Sequence, residues 1–504
     1  MLESRLEFYD PLYETITFQK GLPSTRGFLR VEEDPLDPID IIQTAEFVRL
    51  AFLRQAGLAW LVFPSATHTR FGHSIGCWWL GRIAETLIRV KGRLGLKTGL
   101  HSLHSWLETA QLREEFYLGL LFHDVGHGPL SHVIERNEMF VQGLKAAGLP
   151  VNEVDHEHRG AALLEGTGPI VEMWREIVPF RYGVEVRDLS DTRTALETNA
   201  RVCIPAILFL ITKNKKYLRQ CNHQHSQFLS VLNELVSGLL DLDRLDHYAR
   251  DSYFSGLRQV SINVRGFLNN LCLSYDDNDT KQTQLSLTRD GASYAASLLF
   301  GKRQIISTMF RNPRTIALHT MINWALTTFL SDMGDKQKRG QTCLEISMME
   351  DDQFLELIAK SLHEGCRYVS QRIRGMRPYQ WVGKWSNMGP GVNQEGLREK
   401  LAAYAQPLAP DGSPTVLFHY DDAFWHIGPS QESHDWLDTG CLILEDSGEF
   451  LKDHPDHRDN FIHLKDADKV KYLWVFCRSE SEKEAEKVKC EINDLFGITN
   501  TLTT

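Results

Sequence analysis

The sequence predicts a mainly α-helical chain that ends in a smaller α+β region. Three observations point there. Apolar residues between about 40 and 335 recur at helical spacing, as in Leu80, Ala84, Leu87 and Ile88 or in Phe116, Leu120 and Leu121. Strand-like alternation is scarce over the same span. After about residue 370 the character changes. Five of the eleven tryptophans fall there (Trp381, Trp385, Trp425, Trp436 and Trp474), and short alternating runs begin.

Taken in order, Thr67–His73 opens a helix whose inward face carries His73, Cys77, Leu80 and Ala84. The helix around Phe116–Leu121 ends where Gly126, Gly128 and Pro129 follow it. Val202–Ile211 is an apolar run broken by Pro205 and reads as a core helix. Leu239–Ser252 reads as a helix, Asp276–Thr280 as an exposed turn, and Tyr294–Leu330 as a last helix that Pro313 kinks or interrupts. Beyond it, Gly383–Gly396 reads as a loop. Thr415–Tyr420, Cys441–Glu445 and Tyr472–Cys477 read as strands. Glu482–Phe496 is an amphipathic helix with Ala485, Val488, Ile492 and Leu495 on one face. No internal repeat or low-complexity tract is present. The expected division is an N-terminal segment over 1–40, a helical domain over 41–335 and a C-terminal region over 336–504, with α+β character from about 370.

Composition narrows the class. The chain has 504 residues, 42% hydrophobic and 24% charged, which excludes wholesale disorder and fibrous structure and favours more than one domain. Fifty-five Lys+Arg against 66 Asp+Glu give a net charge of −11. That balance argues against a dedicated nucleic-acid coat, while leaving room for a local basic pocket. The nine cysteines are odd in number and show no CxxC spacing, which fits a reducing compartment better than a disulfide framework. The N-terminus MLESRLEFYDPLYE lacks a basic region followed by an apolar one, and no apolar run is long enough to span a bilayer. A cytoplasmic protein in solution, with no membrane partner, is expected.

His and Asp are concentrated in four stretches: THTRFGH (67–73), LFHDVGHGPLSH (121–132), DHEH (155–158) and LLDLDRLDHYARDS (239–252). In the last, Asp243, Asp246, His247 and Arg250 form a polar stripe beside an apolar one of Leu242, Leu245 and Ala249. Each stretch has an ordinary explanation. An Asp/Arg stripe is commonly a solvated face, and an inward His is commonly a hydrogen-bonded core residue. Together they support a different reading. Two imidazoles and two carboxylates from separate helices make a mixed N/O site that suits Mn, Mg or Fe, with Zn less favoured because no thiolates are offered. Nearby histidines would move protons near neutral pH. No GxxxxGK[ST] loop is present, which disfavours a γ-phosphate ATPase.

The order His, then His-Asp, then a distant Asp on a helix resembles the HD-domain metal-dependent phosphohydrolases, and so implies an HD-domain helical core. ATHTRFGHSIG, LLFHDVGHGPLSH, DHEH and DLDRLDHYARDSYFSGL resemble the consecutive motifs of the dNTP triphosphohydrolases within that family, over about 40–255 and more weakly to about 330. The resemblance implies that His73, His123, Asp124 and Asp243 bind the metal. It implies that Arg70 meets the substrate phosphates and that Gln55 lies near the nucleoside. His127, His132, His156 and Glu157 take catalytic or supporting positions, with His132 beside the scissile P–O bond. Asp251 lines the sugar site, and Arg244 keeps a positive charge where some members have lysine. The implied reaction is hydrolysis at the α-phosphorus of a dNTP, giving a nucleoside and tripolyphosphate. It further implies a homo-oligomer (dimer, tetramer or hexamer), a nucleotide activator, and a role in limiting dNTP pools, as in antiviral or antiphage defence.

The chain departs from that pattern at His247, where a tyrosine is usual, at Phe310, which replaces another tyrosine, and at Asn312-Pro313, which replaces a His-Lys pair. These changes put sugar preference in doubt. Two alternatives stay open: an HD phosphohydrolase acting on another nucleotide or on nucleic acid, a partner that is allowed but not indicated, and a nucleotide-sensing protein without useful turnover.

Overall fold

The computed structural model describes the chain apart from residues 1–4, 20–40, 93–100, 108–109, 150–153, 167, 174, 176–201, 222, 239, 258–261, 276–283, 387–393, 406–407, 421–442, 445–448, 450–452, 456–471, 480 and 497–504. The turn expected at Asp276–Thr280, Trp425 and Trp436 lie outside the described residues. The chain is mainly α-helical with a smaller C-terminal α+β region.

Helix boundaries follow local capping chemistry. Thr69 caps Arg70–Leu87 by accepting from the Gly72 amide, one of the orphan donors of the first turn. Helix Ala110–Phe122 packs on it, and the approach is close: a Cβ at Gly81 would lie 2.5 Å from Leu120 Cδ1. Pro205 does not break the apolar run. It occupies the first turn of Ile204–Thr212, where its missing N–H costs nothing. The helix expected at Leu239–Ser252 is Leu242–Ser255 instead, because Asp241 caps it and Gly256 ends it in the left-handed region. The expected last helix is interrupted. Gly291–Ile305 runs into a π turn over Ile306–Phe310, and Pro313 then starts Pro313–Ser331 with Asn312 as cap.

Among the described residues three sheets accompany the helices. β1 (Arg5–Asp10) and β2 (Glu14–Gln19) form an antiparallel hairpin. β3 (Arg89–Gly92), β4 (His101–Ser102), β5 (Leu271–Tyr275), β6 (Gln284–Leu287) and β9 (Ile443–Leu444) form a five-stranded sheet in the order β4-β3-β5-β6-β9. Its strands are two to five residues long, too short to show alternation, so the sequence reading missed β3 to β6. The strand expected over Cys441–Glu445 is described only as β9, and it pairs in parallel with β6 rather than joining the C-terminal strands. β7 (Gln380–Ser386), β8 (Val416–Tyr420) and β10 (Tyr472–Cys477) make an antiparallel sheet in the order β7-β10-β8. Gly383 therefore lies in a strand, and Gln394 opens a helix to Ala405, so the loop expected over Gly383–Gly396 is narrower.

The main core runs from Ile16 in the hairpin through Phe47, Phe116, Leu210 and Leu245 to Phe354 and Phe476. A smaller cluster of Trp385, Val475 and Ile492 joins the C-terminal sheet to helix Glu482–Phe496. Among the described residues no helix is long and apolar enough to cross a membrane.

One contact ties the later helices to the loops before them. Asp351, at the start of Asp351–Ala359, is wholly buried. Its carboxylate accepts from the Leu130 amide at 2.7 Å and from the Arg54 amide at 2.9 Å. Leu130 and Ser131 both carry positive φ, at 54° and 57°, a conformation a side chain resists unless neighbours hold it. Burial pushes the Asp351 carboxyl up to about 6, against the pull of those two amides and of Arg54. Its unfolded value is about 3.9, so the folded chain keeps a proton that the unfolded chain has released between those limits. This stabilisation is complete below about pH 3.9 and is lost as pH rises through about 6, on the order of 2–3 kcal/mol. In urea unfolding at pH 4, 5, 6 and 7, wild type should lose more stability over that interval than Asp351→Asn; equal losses would refute the assignment.

Candidate functional site

Three chain segments bring four donor side chains together. His73 sits one turn into Arg70–Leu87, His123 and Asp124 directly follow Ala110–Phe122, and Asp243 lies in the first turn of Leu242–Ser255. The ring tautomers follow from the outer hydrogen bonds. His73 Nδ1 lies 2.6 Å from Asp246 Oδ2, and His123 Nδ1 lies 2.7 Å from the Leu120 carbonyl. Both acceptors take a proton from Nδ1, so each Nε2 is left with a lone pair. The two Nε2 atoms face each other at 3.2 Å, with Asp243 Oδ1 at 2.9 Å from His73 and 3.6 Å from His123. A proton on His73 Nε2 satisfies Asp243, and in the neutral rings a cation between the three atoms can take its place.

The electrostatics agree. Burial works against a charged His73, yet Cys77, Asp243 and Asp246 outweigh it and raise the ring's affinity for a proton. Burial would also raise Asp243, but His123 and His73 hold it well below the carboxylate range. Asp124 is held low by Arg70, whose Nη1 lies 2.5 Å from Oδ2, with help from His123 and His127. Asp124 stands at the rim of the cluster, 3.6 Å from His123 Nε2 and 3.8 Å from His73 Nε2. Cys77 approaches the two His73 nitrogens at 3.6 and 3.7 Å, a donor the sequence reading did not weigh. Burial keeps its thiol protonated, so it offers a weak neutral sulfur rather than a thiolate. The set His73, Cys77, His123 and Asp243 is a candidate divalent-metal cluster, and its two nitrogens and carboxylate fit a hard or borderline cation.

Beside it lies a second group. His132 Nδ1 and His156 Nδ1 lie 3.2 and 3.3 Å from Glu135 Oε2, and His127 Nδ1 lies 3.9 Å from Oε1. Arg159 also pairs with Glu135. Glu135 was absent from the sequence reading; its spacing three residues after His132 on one short helix was the available signal. The His127 and His156 rings stack at 3.6 Å and 20°, so their in-plane lone pairs run side by side. Distance alone would allow this trio a metal, but that orientation suits proton handling better. Burial opposes a charge on His156, and Glu135 overcomes it, holding the ring protonated up to about 9. Burial, reinforced by Arg70 and His156, keeps His127 neutral. Glu157 does not join the hydrogen bonds of His132 and His156 to Glu135; it has His156, Asp155 and Lys213 among its charged neighbours.

A narrow cavity adjoins the second group through His132 and is lined also by Gln55, Arg136, His247, Phe310 and His319 among others. Gln55 Nε2 lies 2.9 Å from His247 Nδ1. Asp251 does not line this cavity. It is fully buried behind His247, 3.0 Å from its Nε2, and bonds His68 at 2.7 Å, so the expected direct sugar contact becomes support for His247. Arg244 does not line the cavity either. Its guanidinium is spent on Asp241 at 2.6 Å and on the Gly238 carbonyl, partners adjacent in its own helix start. His68, Asp246 and His319 had no assigned role in the sequence reading. Asp246 stood in the polar stripe, whereas His319 lies 67 residues past the last His/Asp stretch and only folding brings it near.

No family model matches the chain. It is 23% identical over 342 residues to an uncharacterized protein of Methanocaldococcus jannaschii, covering 66% of this chain and 53% of that protein. It is 25% identical over 474 residues to the deoxynucleoside triphosphate triphosphohydrolase SAMHD1 of Danio rerio, covering 90% and 70%. The chain spans about half the length or less of several curated relatives it matches. In fold it is similar to a phosphohydrolase of Bacteroides thetaiotaomicron, with a TM-score of 0.58 at 19% identity, covering 94% of this chain and 100% of that one. The chain thus carries an HD-domain-like metal-binding motif and is similar to HD-superfamily phosphohydrolases.

Metal titration of variants separates the donors. Asp243→Ala should lower Mn²⁺ affinity at least 100-fold, since it removes the anionic donor between the two imidazoles. Cys77→Ala should leave affinity within about threefold of wild type. A large loss with Cys77→Ala would make the sulfur a true ligand.

Proposed function

We propose that this chain hydrolyses deoxynucleoside triphosphates to a nucleoside and tripolyphosphate, using a divalent ion held by His73, His123, Asp124 and Asp243. The observation that carries the reading is the convergence of two imidazole lone pairs and a carboxylate beside Arg70, the Glu135-centred histidines and a cavity with Gln55 and His247. Mn, Mg or Fe fits the donors better than a structural zinc. When bound, the ion supplies Lewis acidity and a more acidic water.

The chain's own residues would do the rest. Arg70 is buried and already committed to Asp124, so its guanidinium is fixed in direction before substrate arrives; its remaining donors suit phosphate oxygens. Ser131 takes Arg70 Nε at 3.2 Å, which locks that orientation. Attack at the α-phosphorus expels the 5′-oxygen, which needs a proton. The histidine trio supplies it: the stored proton sits on His156, and His132, with its side chain 37% exposed, faces the open side of the group. Gln55 and His247, bonded to each other, offer polar contacts to a sugar, and Phe310 offers an apolar wall.

Phe310 also favours a second reading. It has no hydroxyl to bond a sugar, so discrimination between deoxyribose and ribose would rest on Gln55 and His247, and a ribonucleotide would be accepted.

The purified chain, incubated with Mn²⁺ and each dNTP and rNTP, should yield nucleoside and tripolyphosphate on chromatography. Monophosphate or diphosphate products would overturn α-phosphorus attack on the nucleoside side. Turnover should fall as pH rises through about 9, where His156 gives up its proton. His156→Gln should lower kcat about 10²-fold or more and abolish that alkaline limb; an unchanged limb would remove His156 from the proton path.

A further inference from the structure

We propose that Tyr13, at the tip of the N-terminal hairpin, positions the metal-binding His73 by clamping Asp246, which makes the hairpin part of the metal centre. The proposal rests on the reading of His73 as a metal ligand. Tyr13 would touch neither ion nor substrate, so it is a positioning residue.

The clamp is a closed circuit. Tyr13 OH donates to Asp246 Oδ1 at 2.8 Å. Asp246 Oδ2 accepts from His73 Nδ1 at 2.6 Å. Arg250 donates from Nε and Nη2 to the same carboxylate, each at 2.9 Å, and from Nη1 to Asp10 Oδ2 at 2.8 Å. Asp10 then returns to Tyr13: its Oδ1 accepts from the Leu12 amide at 2.8 Å and the Tyr13 amide at 3.2 Å, closing the hairpin turn. Asp246 is wholly buried, and four donors fill its acceptor sites. Two of those donors come from its own helix and one from His73. Only Tyr13 comes from the hairpin, 233 residues away.

The surroundings reserve space for this arrangement. A Cβ at Gly76 would fall 2.3 Å from Asp246 Oδ1 and 2.4 Å from Arg250 Nη2. The hairpin is fixed over the site by Phe18, stacked on Trp78 at 4.3 Å, and by Phe8 against Phe71 at 5.7 Å. Without the Tyr13 hydroxyl one buried lone pair of Asp246 loses its donor, and the carboxylate gains freedom to turn. His73 Nδ1 turns with it, and Nε2 leaves its alignment with His123 and Asp243. Groups that orient a metal-bound imidazole typically govern affinity by about 10–100-fold.

The test is Mn²⁺ binding to the full chain, followed by electron paramagnetic resonance of free ion. Tyr13→Phe should weaken affinity about tenfold while circular dichroism shows a folded chain. Asp10→Asn, which loosens Arg250 in the same circuit, should weaken it in the same direction and serves if Tyr13→Phe does not fold. Affinity within twofold of wild type in either folded variant, with Asp243→Ala defective, overturns the clamp and leaves the metal centre standing. Equal affinity in wild type and Asp243→Ala overturns the metal centre and the clamp together.

Discussion

Two imidazole Nε2 atoms held 3.2 Å apart beside the Asp243 carboxylate are the constraint on which the rest of the site depends. Such a contact is repulsive unless positive charge occupies it. The protein imposes it by spending both Nδ1 protons elsewhere, on Asp246 and on the Leu120 carbonyl. Three helices must therefore meet at fixed angles, and small residues permit it. Gly76 lets Asp246 and Arg250 lie against the first helix, and Gly81 lets the second helix press on it. Ionised Asp243 and Asp124 then make the place one where a cation is favoured and a neutral solute is not.

The segment after the second helix is held with similar force. Arg49, fully buried, donates to the carbonyls of Val125 at 3.0 Å and His127 at 2.6 Å, and Arg159 donates to Gly126 at 3.1 Å. A Cβ at Gly126 would meet the His156 carbonyl at 2.1 Å, so only glycine lets the His156 helix dock there. That docking stacks His156 on His127. Asp351 secures the next turn, where Leu130 and Ser131 are strained and Ser131 reaches Arg70. The buried cations thus satisfy backbone carbonyls that would otherwise be costly to bury, and the strained turn aims His132 at the open side.

Charge is graded across the site. The metal cluster concentrates carboxylates, Glu135 serves His132 and His156, and the cavity beyond is lined by Gln55, Phe310 and Arg136 among others. Burial, with His419 nearby, lowers His319 to about 3, so it faces the cavity uncharged.

The sequence by itself determined the helical class, the strands Val416–Tyr420 and Tyr472–Cys477, the helix Glu482–Phe496, and the short stretches that hold His73, His123, Asp124 and Asp243. These are local signals: helical periodicity, strand alternation, and chemically unusual side chains packed closely in the chain. Tertiary structure alone decided the five-stranded sheet, since strands of two to five residues pair only because distant segments are brought together. It also decided which polar side chains serve and which support. Asp251 and Arg244 read as substrate contacts in the sequence, and folding places them against His68 and Asp241. Tyr13 and Asp351 carried no signal beyond ordinary composition, because hydrogen bonds across more than 200 residues leave no periodicity in the sequence.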